Sequence, residues 1–324
     1  MLLNGHYVTL ITFIKMLAPI VLFVYNRPWH TNETLKSLAL NNLASDSTLF
    51  IFSDGPRDKT DSLEVNRIEE TRKIIRTKKW CKEVIINEND INLGLADSIV
   101  SGVTKVVNEF GKIIILEDDL VLSKEFLNYM NSALELYKNE TSVMHISGYF
   151  PPILNNLPST FFYNQTSCWG WATWERAWKV YNPDPIDLHH QIIMSKRIHE
   201  FNLEGAYPFI EHLEANINGS LKTWAIKWHA SVFLKLGLCL HPNKSLIANI
   251  GFDGSGNNCG VESRINLQEL LSKVILKNIP LKESRIARKL VRNYYILGIT
   301  EQHNAFKSLV KQILNLKSVL RKKY

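Results

Sequence analysis

Four short apolar runs, each followed by a stretch with helical spacing or charge, constrain this chain more than any other feature. Ile20–Tyr25, Thr48–Ser53, Glu83–Asn87 and Lys112–Leu116 read as strands, the last being the most apolar. Runs of this kind are expected of strands covered on both faces. Helical stretches alternate with them: Pro28 to Leu43, then the heavily charged Ser62–Lys78, then Leu95–Phe110. Pro28 suits a first helical turn, where its missing N–H costs nothing. After the fourth strand, Phe126, Leu127, Met130, Ala133, Leu134 and Tyr137 fall at helical spacing, and Val143–Ser147 reads as a fifth strand. Repeated β-α-β units predict an α/β fold, a Rossmann-like, mostly parallel sheet with helices on both faces.

The second half reads differently. Residues 151–158 form a proline-punctuated loop, and 161–260 hold six of the eight tryptophans with less regular periodicity. Mixed α+β structure packed on the sheet is expected there. From Ser263 onward the pattern is helical and ends in Phe306–Tyr324, where apolar and basic residues separate into an amphipathic helix. The expected division is an N-terminal extension over 1–18, a main domain over 19–262 with halves 19–150 and 151–262, and a basic helical appendage over 263–324. Tyr7–Tyr25 is interrupted by Lys15 and Pro19, which makes it marginal as a membrane span, and it lacks the flanks of a signal peptide. Met16 is a plausible second start.

With 45% apolar and 21% charged residues over 324 positions, the composition excludes wholesale disorder. The four cysteines form no CxxC pair, so a zinc ribbon or disulfide scaffold is not expected and a reducing cytoplasm fits. The net charge is +7, but the residues from Lys282 onward carry +9, leaving −2 for the body. Such a tail suits peripheral contact with an anionic membrane face, or simply a solvated helix face. No nucleic-acid-binding motif is present, so nucleic acid is not an expected partner.

The strongest chemical signal is Glu117-Asp118-Asp119, directly after the fourth apolar strand. In open α/β sheets, ligands bind just beyond the carboxyl ends of strands. Three clustered carboxylates repel one another unless a cation or a hydrogen-bonded ligand compensates. Oxygen ligands suit Mn²⁺ or Mg²⁺, which commonly share coordination with substrate phosphates. The alternative is an acidic helix N-terminus, although Ser123 is better suited to cap the helix that follows.

The strand with Glu117-Asp118-Asp119-Leu120, followed by Phe126 and Tyr129, resembles the nucleotide-sugar site of GT-A glycosyltransferases, especially the Golgi N-acetylglucosaminyltransferases and bacterial family-2-like enzymes sharing their core. The resemblance implies that Asp119 holds the divalent metal while Glu117 and Asp118 contact the donor. It implies donor contacts also from Asn26 and Arg27 after the first strand, from Asp54 after the second, and from Gly94 at the start of the third helix. Trp169, Gly170 and Trp171 resemble the segment bordering sugar and acceptor, and aromatic faces suit sugar rings. Trp174 and Trp178, four apart, read as core. The Gly-rich loop 250–258 corresponds to a loop closing over the donor, with Asn258 where many relatives carry histidine; by itself it reads as a mobile lid or an exposed turn.

The catalytic base does not carry over. Aligning Cys239 to Pro242 puts the relatives' Trp-flanked aspartate on Trp224-Ala225-Ile226-Lys227, which has no carboxylate. Asp253 is the first choice, with His229, Glu211 and Glu214 as alternatives. The expected activity is metal-assisted transfer of a hexosyl or N-acetylhexosaminyl group from a UDP-linked or similar nucleotide-sugar donor to a glycan or lipid-linked acceptor. Two alternatives stand beside it: a sugar-phosphate nucleotidyltransferase, and a non-catalytic membrane- or nucleic-acid-binding protein acting through its basic helix.

Overall fold

The computed structural model describes residues 16–59, 61–255 and 270–297. The first half alternates β1 (Ile20–Val24), α1 (Pro28–Ala39), β2 (Thr48–Ser53), α2 (Ser62–Ile74), β3 (Glu83–Glu88), α3 (Leu95–Phe110) and β4 (Lys112–Glu117). Then come β5 (Leu120–Leu122), α4 (Phe126–Leu136), β6 (Val143–Ser147), β7 (Thr160–Tyr163), β8 (Trp171–Trp174) and α5 (Glu175–Trp178). The chain continues through α6 (Pro185–Met194), α7 (Ile198–Phe201), α8 (Phe209–Ile217), α9 (Ala225–Leu234), β9 (Leu238–Pro242) and β10 (Ile247–Asn249).

One eight-stranded sheet runs in the order β3-β2-β1-β4-β8-β6-β9-β7. The first four strands are parallel, β8 opposes both β4 and β6, β9 follows β6, and β7 opposes β9. The sheet is therefore mixed but mostly parallel, as the alternation predicts. The chain steps outward from β1 to β3 and then returns to β4 on the other side of β1. The winding thus reverses between β1 and β4, the kind of switch point that opens a crevice at the strand ends.

Every residue of β1 is buried, which accounts for its unbroken apolar run. Ile20, Leu22 and Val24 face a core built with Leu35, Leu38, Leu127 and Met130, whereas Val21 and Phe23 face Ile99, Val103 and Val106 of α3. α3 stops at Gly111, whose φ of 73° is left-handed and whose N–H returns to Val107 O at 2.8 Å.

Three local expectations are corrected. α1 ends at Ala39, before Leu43, and the chain turns through a short 3-10 segment, Ala44–Asp46. The acidic triplet is not followed directly by a helix, because β5 intervenes and pairs antiparallel with β10. Ser123 does not cap α4. Glu125 holds the cap position, and Ser123 Oγ accepts the Glu125 N–H at 3.3 Å.

The segment after residue 269 is also not helical throughout. Residues 270–284 form an irregular strap, and helix is found over 285–297. Leu271, Val274, Leu276 and Ile279 pack on the main core, and Leu271 N–H donates to Ser245 O at 2.9 Å. Arg288 then locks the helix down, donating to Glu204 Oε1 at 2.8 Å, Asn164 Oδ1 at 2.9 Å, Glu283 Oε1 at 3.0 Å and Glu200 O at 2.8 Å. This part of the expected appendage is thus fastened to the body. The first 15 residues and the basic segment Phe306–Tyr324 lie outside the described residues. Among the described residues no helix is long and apolar enough to cross a membrane.

Candidate active site

An open cleft lies at the carboxyl ends of β1, β2 and β4. Tyr25, Asn26 and Arg27 leave β1 into it, Asp54 leaves β2, and Glu117, Asp118 and Asp119 leave β4. Gly94 and Asn92 border it from the loop before α3. Phe52 lines its wall, stacked on Phe23 at 5.4 Å between centroids.

The acidic turn is held from beneath by one face of α1. Thr34 Oγ1 donates to Asp118 O at 2.7 Å and accepts the Leu120 N–H at 3.1 Å. Ser37 Oγ accepts the Leu122 N–H at 3.0 Å, and Asn41 Oδ1 accepts the Leu127 N–H at 3.0 Å. Thr34 and Ser37, three apart, share one face of α1, Asn41 follows just beyond its end, and all three are buried. They satisfy backbone groups that burial would otherwise leave unpaired. The polar positions beside Leu35 and Leu38 were the available sequence signal, and it was missed.

The charge of the turn is met from within the protein. Arg27 Nη1 lies 2.8 Å from Asp119 Oδ2 and 3.4 Å from Asp118 Oδ1, and Arg27 Nη2 lies 3.9 Å from Asp253 Oδ1. Burial opposes the charge on Arg27, but Asp118 and Asp119 hold its pKa above the ordinary value. Burial, then the charges of Asp119 and Asp118, push the Glu117 carboxyl well up. Burial and the Asp119 charge push Asp118 up to about 7, with Arg27 opposing.

Among the described residues no three His, Cys, Asp or Glu side chains gather so as to hold a metal ion. Arg27 Nη1 already takes one oxygen of each of Asp118 and Asp119, so in this arrangement the pair has its cation. Asp119, the residue expected to hold a metal, is paired in this structure with Arg27 at 2.8 Å.

The glycine-bearing loop covers this ion pair. β10 pairs with β5 so that Asn249 sits opposite Leu120, and Ile250 N–H donates to Asp119 O at 2.8 Å. Gly251 is required by close approach. A Cβ there would collide with the Asp119 carboxylate and come within 2.8 Å of Arg27 Nη2. The start of the loop is thus pinned to the acidic turn. Residues 256–258, including Asn258, lie outside the described residues. Asp253 is exposed on its side chain, 3.1 Å from His30 Nε2, and accepts from Ser255 Oγ at 2.6 Å. Chiefly the Ser255 hydroxyl, with His30 and Arg27 also contributing, holds the Asp253 carboxyl below its ordinary value.

On the far side of the cleft, Asp54 is spent on organising the loop before α3. It accepts from Leu93 N–H at 2.9 Å, Gly94 N–H at 2.9 Å, Gly55 N–H at 3.1 Å and Asn89 Nδ2 at 3.2 Å. Gly94, with φ 81°, opens α3 with its Cβ direction unobstructed. Tyr25 and Asn26 both donate to Glu64 Oε1, at 2.9 and 3.0 Å.

Several expected site residues are elsewhere. Trp171 is a core residue, fully buried and stacked on Trp224 at 5.2 Å. Gly170 serves packing: at φ 56°, a Cβ there would strike Ile247 and come within 3.3 Å of Phe126. Trp169 is half-buried and meets Tyr149 at 4.4 Å and Phe252 at 5.5 Å, edge to face, which puts it beside the loop carrying Asp253. His229 is a core histidine stacked on Phe201 at 5.1 Å, and burial holds its pKa down to about 3. Glu211 and Glu214 are on the exposed side of α8, away from the cleft lining.

No family model matches the chain, and no curated protein matches it. Solved structures show distant likeness. TarS from S. aureus is 16% identical over 45% of this chain and 24% of its own, with a TM-score of 0.30. The mannosyltransferase PcManGT from Pyrobaculum calidifontis, determined with GDP-Man and Mn²⁺, is 11% identical over 68% of this chain and 70% of its own, with a TM-score of 0.35. A UDP-glucose pyrophosphorylase complexed with UDP-glucose is 11% identical over 70% of this chain and 90% of its own, with a TM-score of 0.34. The chain spans under a quarter of TarS. Likeness at these scores assigns neither a fold family nor an activity, so the functional reading rests on the cleft.

Proposed function

We propose that this chain is a glycosyltransferase that moves a hexosyl or N-acetylhexosaminyl unit from a nucleoside diphosphate sugar, UDP-linked, to a hydroxyl of a glycan or lipid-linked acceptor. The observation that carries the reading is the convergence of Arg27, Glu117, Asp118 and Asp119 with the Asp54-ordered loop in one cleft at the β1/β4 switch point. In this reading the nucleoside lies toward Asp54, Asn92 and Gly94, and the diphosphate lies toward Arg27. Glu117, whose carboxyl is pushed up by burial and its acidic neighbours, lies toward a donor hydroxyl. Trp169 offers an aromatic face on the acceptor side.

The acceptor oxygen attacks the anomeric carbon as the bond to the diphosphate oxygen breaks. The electron pair leaves with the diphosphate, and the acceptor proton passes to a base. Asp253 is assigned that base, because it is ionised, accessible and next to Arg27. A positioned base contributes about 10²- to 10⁴-fold in rate. The basic C-terminal segment, by its charge, suits attachment to an anionic cytoplasmic membrane face.

The test is a panel of sugar nucleotides incubated with the protein, with products separated by chromatography. Release of nucleoside diphosphate from at least one donor supports the reading. Consumption only of a nucleoside triphosphate plus sugar phosphate, with pyrophosphate released, would replace it with nucleotidyl transfer.

A further inference from the structure

We propose that Arg27, and not a divalent cation, supplies the positive charge that receives the donor diphosphate. This rests on the glycosyl-donor reading above and sharpens it. Arg27 stands where a metal is expected, against the oxygens of Asp118 and Asp119. It is also confined: the Gly251 backbone lies so close that even a methyl group would press on Nη2.

The guanidinium is not fully used. Nη1 serves both carboxylates, whereas Nε and Nη2 are buried with no hydrogen-bond partner among the described residues. Unmade charged hydrogen bonds in a buried site are costly, so these two donors mark a place for an anionic ligand. Nε and Nη2 form the planar fork that can grip two phosphate oxygens at once, once the Gly251 backbone moves off Nη2. Asp118 and Asp119 then act as positioning residues that hold the fork toward the cleft.

The account predicts diphosphate binding without metal. UDP, GDP, ADP and dTDP are titrated calorimetrically into the full chain, once with excess EDTA and once with Mn²⁺. The Kd of the best binder should agree within about threefold between the two conditions. Arg27→Gln should weaken it by about ten- to a hundredfold, the loss expected for charge-assisted hydrogen bonds, with Arg27→Lys falling between. A second readout needs no nucleotide. Mn²⁺ alone should leave the melting temperature of the native chain unchanged but raise that of Arg27→Gln, whose paired carboxylates have lost their cation. Binding abolished by EDTA and restored by Mn²⁺ in the native chain overturns the inference while sparing the donor reading. Failure of every diphosphate in both conditions overturns both. If Arg27→Gln does not fold, the EDTA comparison on the native chain decides alone.

Discussion

Gly94 N–H donates to Asp54 Oδ2 at 2.9 Å, tying the end of β2 to the start of α3. The other Asp54 oxygen accepts Leu93 N–H, so one buried carboxylate shapes the loop bordering the cleft. Asp54→Asn turns an N–H donor toward other N–H groups. The expected cost is about 1–3 kcal/mol of stability, together with weaker nucleotide binding. Urea unfolding and calorimetry measure the two effects, and unchanged values in both contradict this role.

Thr34 touches no ligand in this account, yet it fixes the acidic turn through Asp118 O and Leu120 N–H. Thr34→Val keeps the volume and removes both bonds. We expect a loss of about 1–3 kcal/mol for the buried groups left unpaired, with Thr34→Ser restoring most of it. Equal stability of the valine and serine variants would show that the hydroxyl is not what holds the turn.

Gly251→Ala tests the close approach of the loop to Asp119 and Arg27. The new methyl group must move the loop, the arginine or the carboxylate. Diphosphate affinity should fall at least about tenfold, which corresponds to about 1.4 kcal/mol. Wild-type affinity in this variant would mean that the loop is not packed on the ion pair.

The pH dependence has a definite sign. Burial and Asp119 raise Asp118 from its ordinary 3.8 to about 7 in the folded chain. The folded state therefore binds that proton more tightly than the unfolded state. Stability from this group is fully present below about pH 4 and is lost as the pH rises through about 7. Arg27, Glu117, Asp119, His30 and Asp253 are the charged or titratable groups in this local network. Glu117 acts in the same direction, whereas Asp253, held low, acts the other way at lower pH. Asp118→Asn should flatten the stability-against-pH curve between pH 4 and 7 relative to the native chain. Parallel curves for the two would remove Asp118 as the source.

The strands were legible where burial on both faces left an unbroken apolar run, as in β1 and β4. β5 was not: three residues between an acidic turn and a helix carry no period, and its partner β10 lies far along the chain. The strap over 270–284 misled because Leu271 and Val274 stand three apart, a spacing shared by helices and by irregular chain on a core. Trp171 read as a sugar platform because Gly170 precedes it. In β8 it points instead into a cluster with Trp178, Trp224 and Trp228, an arrangement only tertiary packing reveals. The position of the acids was legible from the end of β4. Their counter-charge was not, since Arg27 lies 91 residues from Asp118 along the chain.

Hydrogen exchange read by mass spectrometry, with and without the sugar nucleotide that most raises the melting temperature, tests most directly that this cleft takes the donor. The account predicts slowed exchange around residues 25–31, 92–98, 118–122 and 249–253, with little change in α6 and α8. Protection confined to the α6–α9 region, or none at saturating nucleotide, would contradict it.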